Sequence, residues 1–206
     1  MVHRQFWIGL LVFITPLMSG MTAEKQPENL IQNGGFEEIK EVDLTTGHFL
    51  SAVRGRCDFG SDFIGNVPTN LDQLSGAKKF IVVEGSAGQE VHSGKRALLF
   101  DGGFYLRSMF PGTEGDIFDI AYYAKGKSKV SVHFNLINDQ GKFFAQGLPV
   151  VYPITVNQTN KWVEVKQTIP IKAEGTKQIF VRLAAEGDIC IDDLVIRKRT
   201  GIKTRE

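Results

Sequence analysis

Cysteine and tryptophan are scarce in this chain: two of each among 206 residues. Cys57 and Cys190 form no CxxC pair and no Cys/His cluster, so the residues give no support for a structural zinc site. In an oxidising compartment the two could form a disulfide tying an early loop to the last strand; otherwise they are two separate buried thiols behaving as small apolar residues. An excess of either charge is also missing. Lys and Arg number 24 against 23 Asp and Glu, a formal charge of +1, which gives no electrostatic case for nucleic acid or an anionic membrane surface. No stretch keeps a helical period, and no internal repeat is visible. Catalytic patterns are lacking too: there is no Gly-x-Ser-x-Gly elbow or Ser/His/Asp order. The carboxylates Asp119, Asp139 and Glu164 make no spaced pair of the kind glycoside hydrolysis needs, and Glu164 has Lys166 as a natural partner. Tyr123 and His133 could mimic a lyase pair, but no lyase signature accompanies them. These absences point away from an enzyme.

What is abundant is glycine (22) and phenylalanine (15), a composition of many turns and flat apolar side chains that suits an all-β protein. The N-terminus reads separately. A short basic region, an apolar run over 6–18 broken by Pro16, and the small-residue stretch 19–23 have the layout of a secretory signal peptide. The run is short for a membrane span, which needs about 20 residues. We therefore expect residues 1–23 to be a leader, 24–199 a single exported domain (secreted, periplasmic or at the cell surface), and 200–206 a basic solvated tail.

Alternating polarity marks strands at 80–84, 96–100, 104–110, 116–125, 129–137, 142–146, 150–156, 162–171, 178–185 and 189–198, with Gly, Asn, Asp or Pro at nearly every junction. Residues 29–38 read as a first strand with a bulge. The irregular stretch 39–79 is too long for a structureless loop and is expected to hold short strands near 48–54 and 62–64. Nine or ten antiparallel strands in one domain mean a sandwich. Alternation also assigns faces. Phe118, Ile120, Tyr122 and Ala124 share one side with Val130, Val132, Phe134 and Leu136, while Ile137 falls with the outward set. The outward set mixes aromatic plates (Tyr105, Tyr123, Phe180) with Arg107, His133, Asn135 and Arg182, side chains suited to directional hydrogen bonds. Such a mixture fits a sugar, whose CH face stacks on aromatics and whose hydroxyls need donors and acceptors.

The two ends of the domain carry a different chemistry. Asn29-Leu30-Ile31-Gln32-Asn33-Gly34-Gly35-Phe36-Glu37-Glu38 breaks at a glycine pair and lands on carboxylates, and Ile191-Asp192-Asp193-Leu194 embeds two more in a strand. Carboxylate and carbonyl oxygens are what a hard cation such as Ca²⁺ requires, so the ends are expected to meet, across a calcium ion.

The opening string 29–37 resembles the start of CenC-type carbohydrate-binding modules of the galactose-binding-like superfamily. Val91-His92-Ser93-Gly94-Lys95-Arg96-Ala97-Leu98 resembles their middle signature and 118–126 the strand after it. Trp162, the run Thr168-Ile169-Pro170 and finally Ile191-Asp192-Asp193-Leu194 complete the order over roughly 29–197. The resemblance implies a two-sheet antiparallel jelly roll with a structural calcium held by the carbonyls of Gly35 and Lys95, the side chain of Glu37 and the carboxylate of Asp192. It also implies a non-catalytic module that binds a polysaccharide or oligosaccharide. With so little tryptophan, flat crystalline surfaces are a poor target. The alternative is a structural or cell-surface interaction domain that kept the sandwich without sugar binding.

Overall fold

The computed structural model describes residues 28–43, 64–144 and 150–199. The expected leader, the strand near 48–54, Cys57 and the basic tail lie outside the described residues, as do the side chains of Arg107 and Ser108. The described chain is all β: β1 (Ile39–Asp43), β2 (Ile64–Pro68), β3 (Leu71–Glu84), β4 (Arg96–Pro111), β5 (Ile117–Ile137), β6 (Val150–Pro170) and β7 (Gln178–Lys198). Strands β1 and β2 pair with each other, and the remaining five make an antiparallel sheet in the order β3-β4-β7-β5-β6.

That sheet folds over itself into a sandwich. Phe118 and Phe134 lie sixteen positions apart on β5, a span of about 50 Å for a straight strand, yet their ring centroids are 5.5 Å apart. The bend falls on a row of glycines with left-handed backbone, Gly102 in β4 (φ 98), Gly126 in β5 (φ 146) and Gly187 in β7 (φ 110). At Gly126 a side chain has no room, since a Cβ would stand 2.8 Å from the Asp188 carbonyl oxygen. The segments expected as separate strands at 96–100 and 104–110, 116–125 and 129–137, 150–156 and 162–171, and 178–185 and 189–198 are therefore halves of β4, β5, β6 and β7. Glycine there bends the ribbon without ending the ladder. Of the strand expected at 142–146, residues 142–144 hold a bridge between Phe143 and Ile137, and 145–146 lie outside the described residues.

The inward faces are the predicted ones. Phe118, Ile120, Tyr122, Ala124, Val130, Val132, Phe134 and Leu136 are all buried, against Phe104, Leu106, Val181, Leu183 and Ile196 from the flanking strands. Ile137, expected outside, is also buried, because β5 ends there and the chain folds back through Phe143. Residues 29–38 are not a strand. Asn33 (φ 51) and Phe36 (φ 56) take left-handed backbone, which interrupts any ladder, and regular pairing starts at Ile39. A phenylalanine in that conformation is strained; its side chain is held there by complete burial in the core.

Candidate functional site

Two assemblies collect the chemistry-bearing residues. The first is where the chain ends meet. Leu30 donates its N–H to the Ile196 carbonyl (2.8 Å), and Leu194 donates to the Gly34 carbonyl (2.9 Å). Asn29 spans both, accepting from Ile196 N–H at 2.9 Å and donating to the Leu194 carbonyl at 3.3 Å. Strand β7 bulges at this point: Ala121 faces Val195 but Tyr123 faces Asp192, and Asp193 takes left-handed backbone (φ 51). The bulge turns Asp192 inward, where it is fully buried.

The Asp192 carboxylate accepts three backbone N–H bonds, from His92 and Ser93 at 3.0 Å each and from Asp193 at 2.7 Å. Asp193 accepts from the Ser93 hydroxyl at 2.8 Å and lies 2.6 Å from His92 Nδ1. Glu37 accepts from the N–H groups of Lys95 and Arg96 at 2.8 and 3.1 Å. Burial pushes Asp192 up to about 6, with the charge of Asp193 adding to the rise and the N–H donors opposing it.

The oxygen-rich surroundings fit a hard cation. Asp192 is buried with no cationic side chain paired to it among the described residues. Gly35 leaves an opening in which a Cβ would sit 3.5 Å from an Asp193 oxygen and 3.9 Å from an Asp192 oxygen. Of the four ligands that the resemblance implied, Gly35, Glu37 and Asp192 converge on one end of the sandwich. Lys95 joins them through its N–H, while its carbonyl accepts from Gly85 N–H. His92 and Asp193 were missed as candidates, although with Asp192 they bring ligand atoms within 4.8 Å of one another. The adjacent aspartates were visible in the sequence; that His92 reaches them across a hundred positions was not.

The second assembly is the outer face of the half-sheet formed by the second halves of β4 and β5 and the first half of β7. Register places Tyr105, Arg182 and His133 in one row across β4, β7 and β5, and Met109, Phe180 and Asn135 in the next. Tyr105 and Phe180 stack with centroids 5.0 Å apart and planes 7° from parallel. The Arg182 guanidinium lies 5.9 Å from the Tyr105 centroid, with Nη1 3.5 Å from His133 Nε2. Asn135 donates to the Phe180 carbonyl at 3.1 Å. Phe143, 57% exposed, extends the aromatic surface 6.4 Å from Phe180, and Met109, 59% exposed, borders it. Phe143 and Met109 were missed: the first falls in the stretch expected as a strand at 142–146, whose place beside Phe180 is a tertiary matter, and the second reads as an ordinary outward position. A depression of about 330 Å³ adjoins, lined by Lys129, Ser131, His133, Pro153, Arg182 and Glu186 among others.

Tyr123 is not on this face. It belongs to the first half of β5, across the glycine bend, and stacks on His92 at 3.4 Å. Trp162 stands beside them, 6.0 Å from His92, in the middle of β6 rather than at a strand start, and donates Nε1–H to the Gln89 carbonyl at 3.1 Å. The sequence-predicted set thus divides, with Tyr105, His133, Asn135 and Arg182 together and Tyr123 beside the chain-end cluster. Cys190 is a buried thiol with no disulfide partner among the described residues, pushed up to about 12 by burial; Cys57, the partner considered for it, lies outside them.

Burial, then the Arg182 charge, lowers His133 to about 4, so its ring is neutral near pH 7. A histidine lowered by folding contributes stability that is complete above its unfolded value near 6.5 and is lost as pH falls from 6.5 toward 4. Against the parent, His133→Gln is therefore expected to lose less melting temperature between pH 7 and pH 4. Parallel acid profiles for the two proteins would show that His133 titrates in the folded state as in the unfolded one.

No family model and no curated protein matches this chain. Solved structures similar to it include the enzymatically active domain of bacteriophage CBA120 tailspike protein 4, at 10% identity and TM-score 0.48, covering 83% of this chain and 21% of that one. The chain thus spans about a fifth of the length of that tailspike domain. Another is TmCBM61 in complex with β-1,4-galactotriose, at 16% identity and TM-score 0.43, covering 84% of this chain and 99% of that one. A third is the CBM22-1 xylan-binding domain from Paenibacillus barcinonensis Xyn10C, at 13% identity and TM-score 0.41, covering 62% and 84%.

Proposed function

We propose that this chain is a secreted, non-catalytic carbohydrate-binding module of CenC-like type that takes a single glycan chain along the Tyr105–Phe180 face and is stabilised by calcium at the joined chain ends. The observation that carries the sugar reading is the stacked pair of near-parallel aromatic rings flanked by Arg182, His133 and Asn135. Such plates match the CH face of a pyranose, and the flanking groups match its hydroxyls. Asp192, Glu37 and Gly35 would hold the calcium ion, with Asp193 beside them; the ion supplies positive charge to buried oxygens and no chemistry on a substrate. A second reading, a protein-interaction surface, draws on Met109 and Phe143, whose exposure would also suit an apolar partner.

Affinity electrophoresis of the mature protein against soluble polysaccharides, compared across three variants, tests the reading. Tyr105→Ala and Phe180→Ala are each expected to weaken binding about tenfold or more, while Tyr123→Ala keeps it. Loss in Tyr123→Ala alone would move the glycan to the His92–Trp162 end. Folded protein that binds no glycan would favour the protein-interaction role.

A further inference from the structure

Arg182 is the unusual member of the aromatic face. Two described arginines answer carboxylates: Arg96 meets Glu84 at 2.8 Å and Arg199 meets Asp119 at 2.7 Å. Arg182 has no carboxylate within ion-pair distance among the described residues; its contacts are the Tyr105 ring and a neutral His133 ring nitrogen. Its Nε is buried with no hydrogen-bond partner. With Nε closed to solvent, a guest on this face can be met only through the terminal Nη groups of the side chain. The rest of the depression does not cancel the charge, because its one acidic residue, Glu186, is taken by Lys129 at 3.3 Å.

We propose that the chain bound on this face is acidic, a polysaccharide whose uronate carboxylates are read by Arg182 while its ring faces stack on Tyr105 and Phe180. A planar carboxylate offers two oxygens to the forked guanidinium donors, a match that a neutral sugar hydroxyl cannot make. The opposite half of the sandwich supplies the contrast. There Arg197 also has a buried Nε without a partner, in a depression of about 420 Å³ beside the Asp119–Arg199 pair, but no aromatic ring lines it. Of these two depressions, both carry charge, and the one at Arg182 has aromatic rings beside it.

This inference rests on the sugar-binding reading, and one experiment separates their failures. Binding of the full-length mature protein is measured at physiological salt to polygalacturonate, to alginate, to methyl-esterified polygalacturonate and to neutral β-1,4-galactan. The parent is expected to bind one of the free-acid polymers about tenfold or more tighter than the esterified and neutral ones. Arg182→Gln is expected to remove that preference while retaining the residual neutral affinity, and Arg197→Gln to leave it in place. Equal or tighter binding of the neutral chains by the parent overturns the inference, as does an Arg182→Gln variant that weakens acidic and neutral binding alike. Silence of the folded parent on all four polymers overturns the sugar-binding reading itself.

Discussion

Gly34→Ala is expected to destabilise the domain by about 3 kcal/mol or more, lowering the melting temperature by about 6–12 °C. A Cβ at position 34 would lie 1.9 Å from the carbonyl oxygen of Leu194, and both partners are backbone. No rotamer change relieves that overlap, so the 29–38 segment must move away from β7. Moving it breaks the Leu194-to-Gly34 bond, the Leu30-to-Ile196 bond and the two bonds of Asn29. It also withdraws Ile31 and Phe36 from the core, where they are 2% and 0% exposed; exposing a buried phenylalanine alone is worth about 1.5–3 kcal/mol. The neighbouring glycine makes the comparison sharp. At Gly35 the nearest atoms to an added Cβ are 3.5 Å away, so Gly35→Ala in the presence of chelator is expected to cost under about 1 kcal/mol. Thermal unfolding of both variants decides it. A Gly34→Ala melting temperature within about 2 °C of the parent would mean that the two chain ends do not clasp as described.

The core was legible because burial leaves a period of two. Phe118, Ile120, Tyr122 and Ala124 alternate with polar neighbours, and all four are interior. The fold's central device was not. Gly126 between two alternating runs reads as a turn, since a glycine with positive φ serves a hairpin and a bend equally well. Whether the ladder continues through it depends on β6 and β7, far away in sequence. The same blindness explains the split in the predicted sugar face. Alternation tells whether Tyr123 points in or out, but not which of the two layers it belongs to. Tyr105 and Arg182 could be grouped correctly because both lie on the same side of the bend, and Tyr123 could not. The opening motif shows the opposite case. Its local prediction as a strand failed at Asn33 and Phe36, yet its long-range expectation, contact with the Asp192 segment, is what the hydrogen bonds show.

Asp192→Ala is expected to abolish the response of the domain to calcium. In the parent, a cation that binds only the folded state at a hundred times its dissociation constant adds about 2.7 kcal/mol, so calcium should raise the melting temperature at pH 7 by about 5–10 °C over chelated protein. The pH dependence carries the same signature. Without a cation, burial holds Asp192 up near 6, above its ordinary 3.8. The folded state then keeps a proton that the unfolded chain releases, and stability from this group declines as pH rises through the window between those two values. Bound calcium requires the carboxylate deprotonated, so its contribution grows across that same window. The gap in melting temperature between calcium-loaded and chelated parent is therefore expected to be small at pH 4 and to open by pH 7. Asp192→Ala removes the buried one of the two carboxylates proposed to hold the ion and leaves the N–H groups of His92, Ser93 and Asp193 without their acceptor, so it should melt lower than the parent under both conditions and show no gap at any pH. Coincident curves for calcium-loaded and chelated parent at pH 7 would reduce Asp192 to a buried anion held by three backbone donors. A gap that survives in Asp192→Ala would place the ion elsewhere in the molecule.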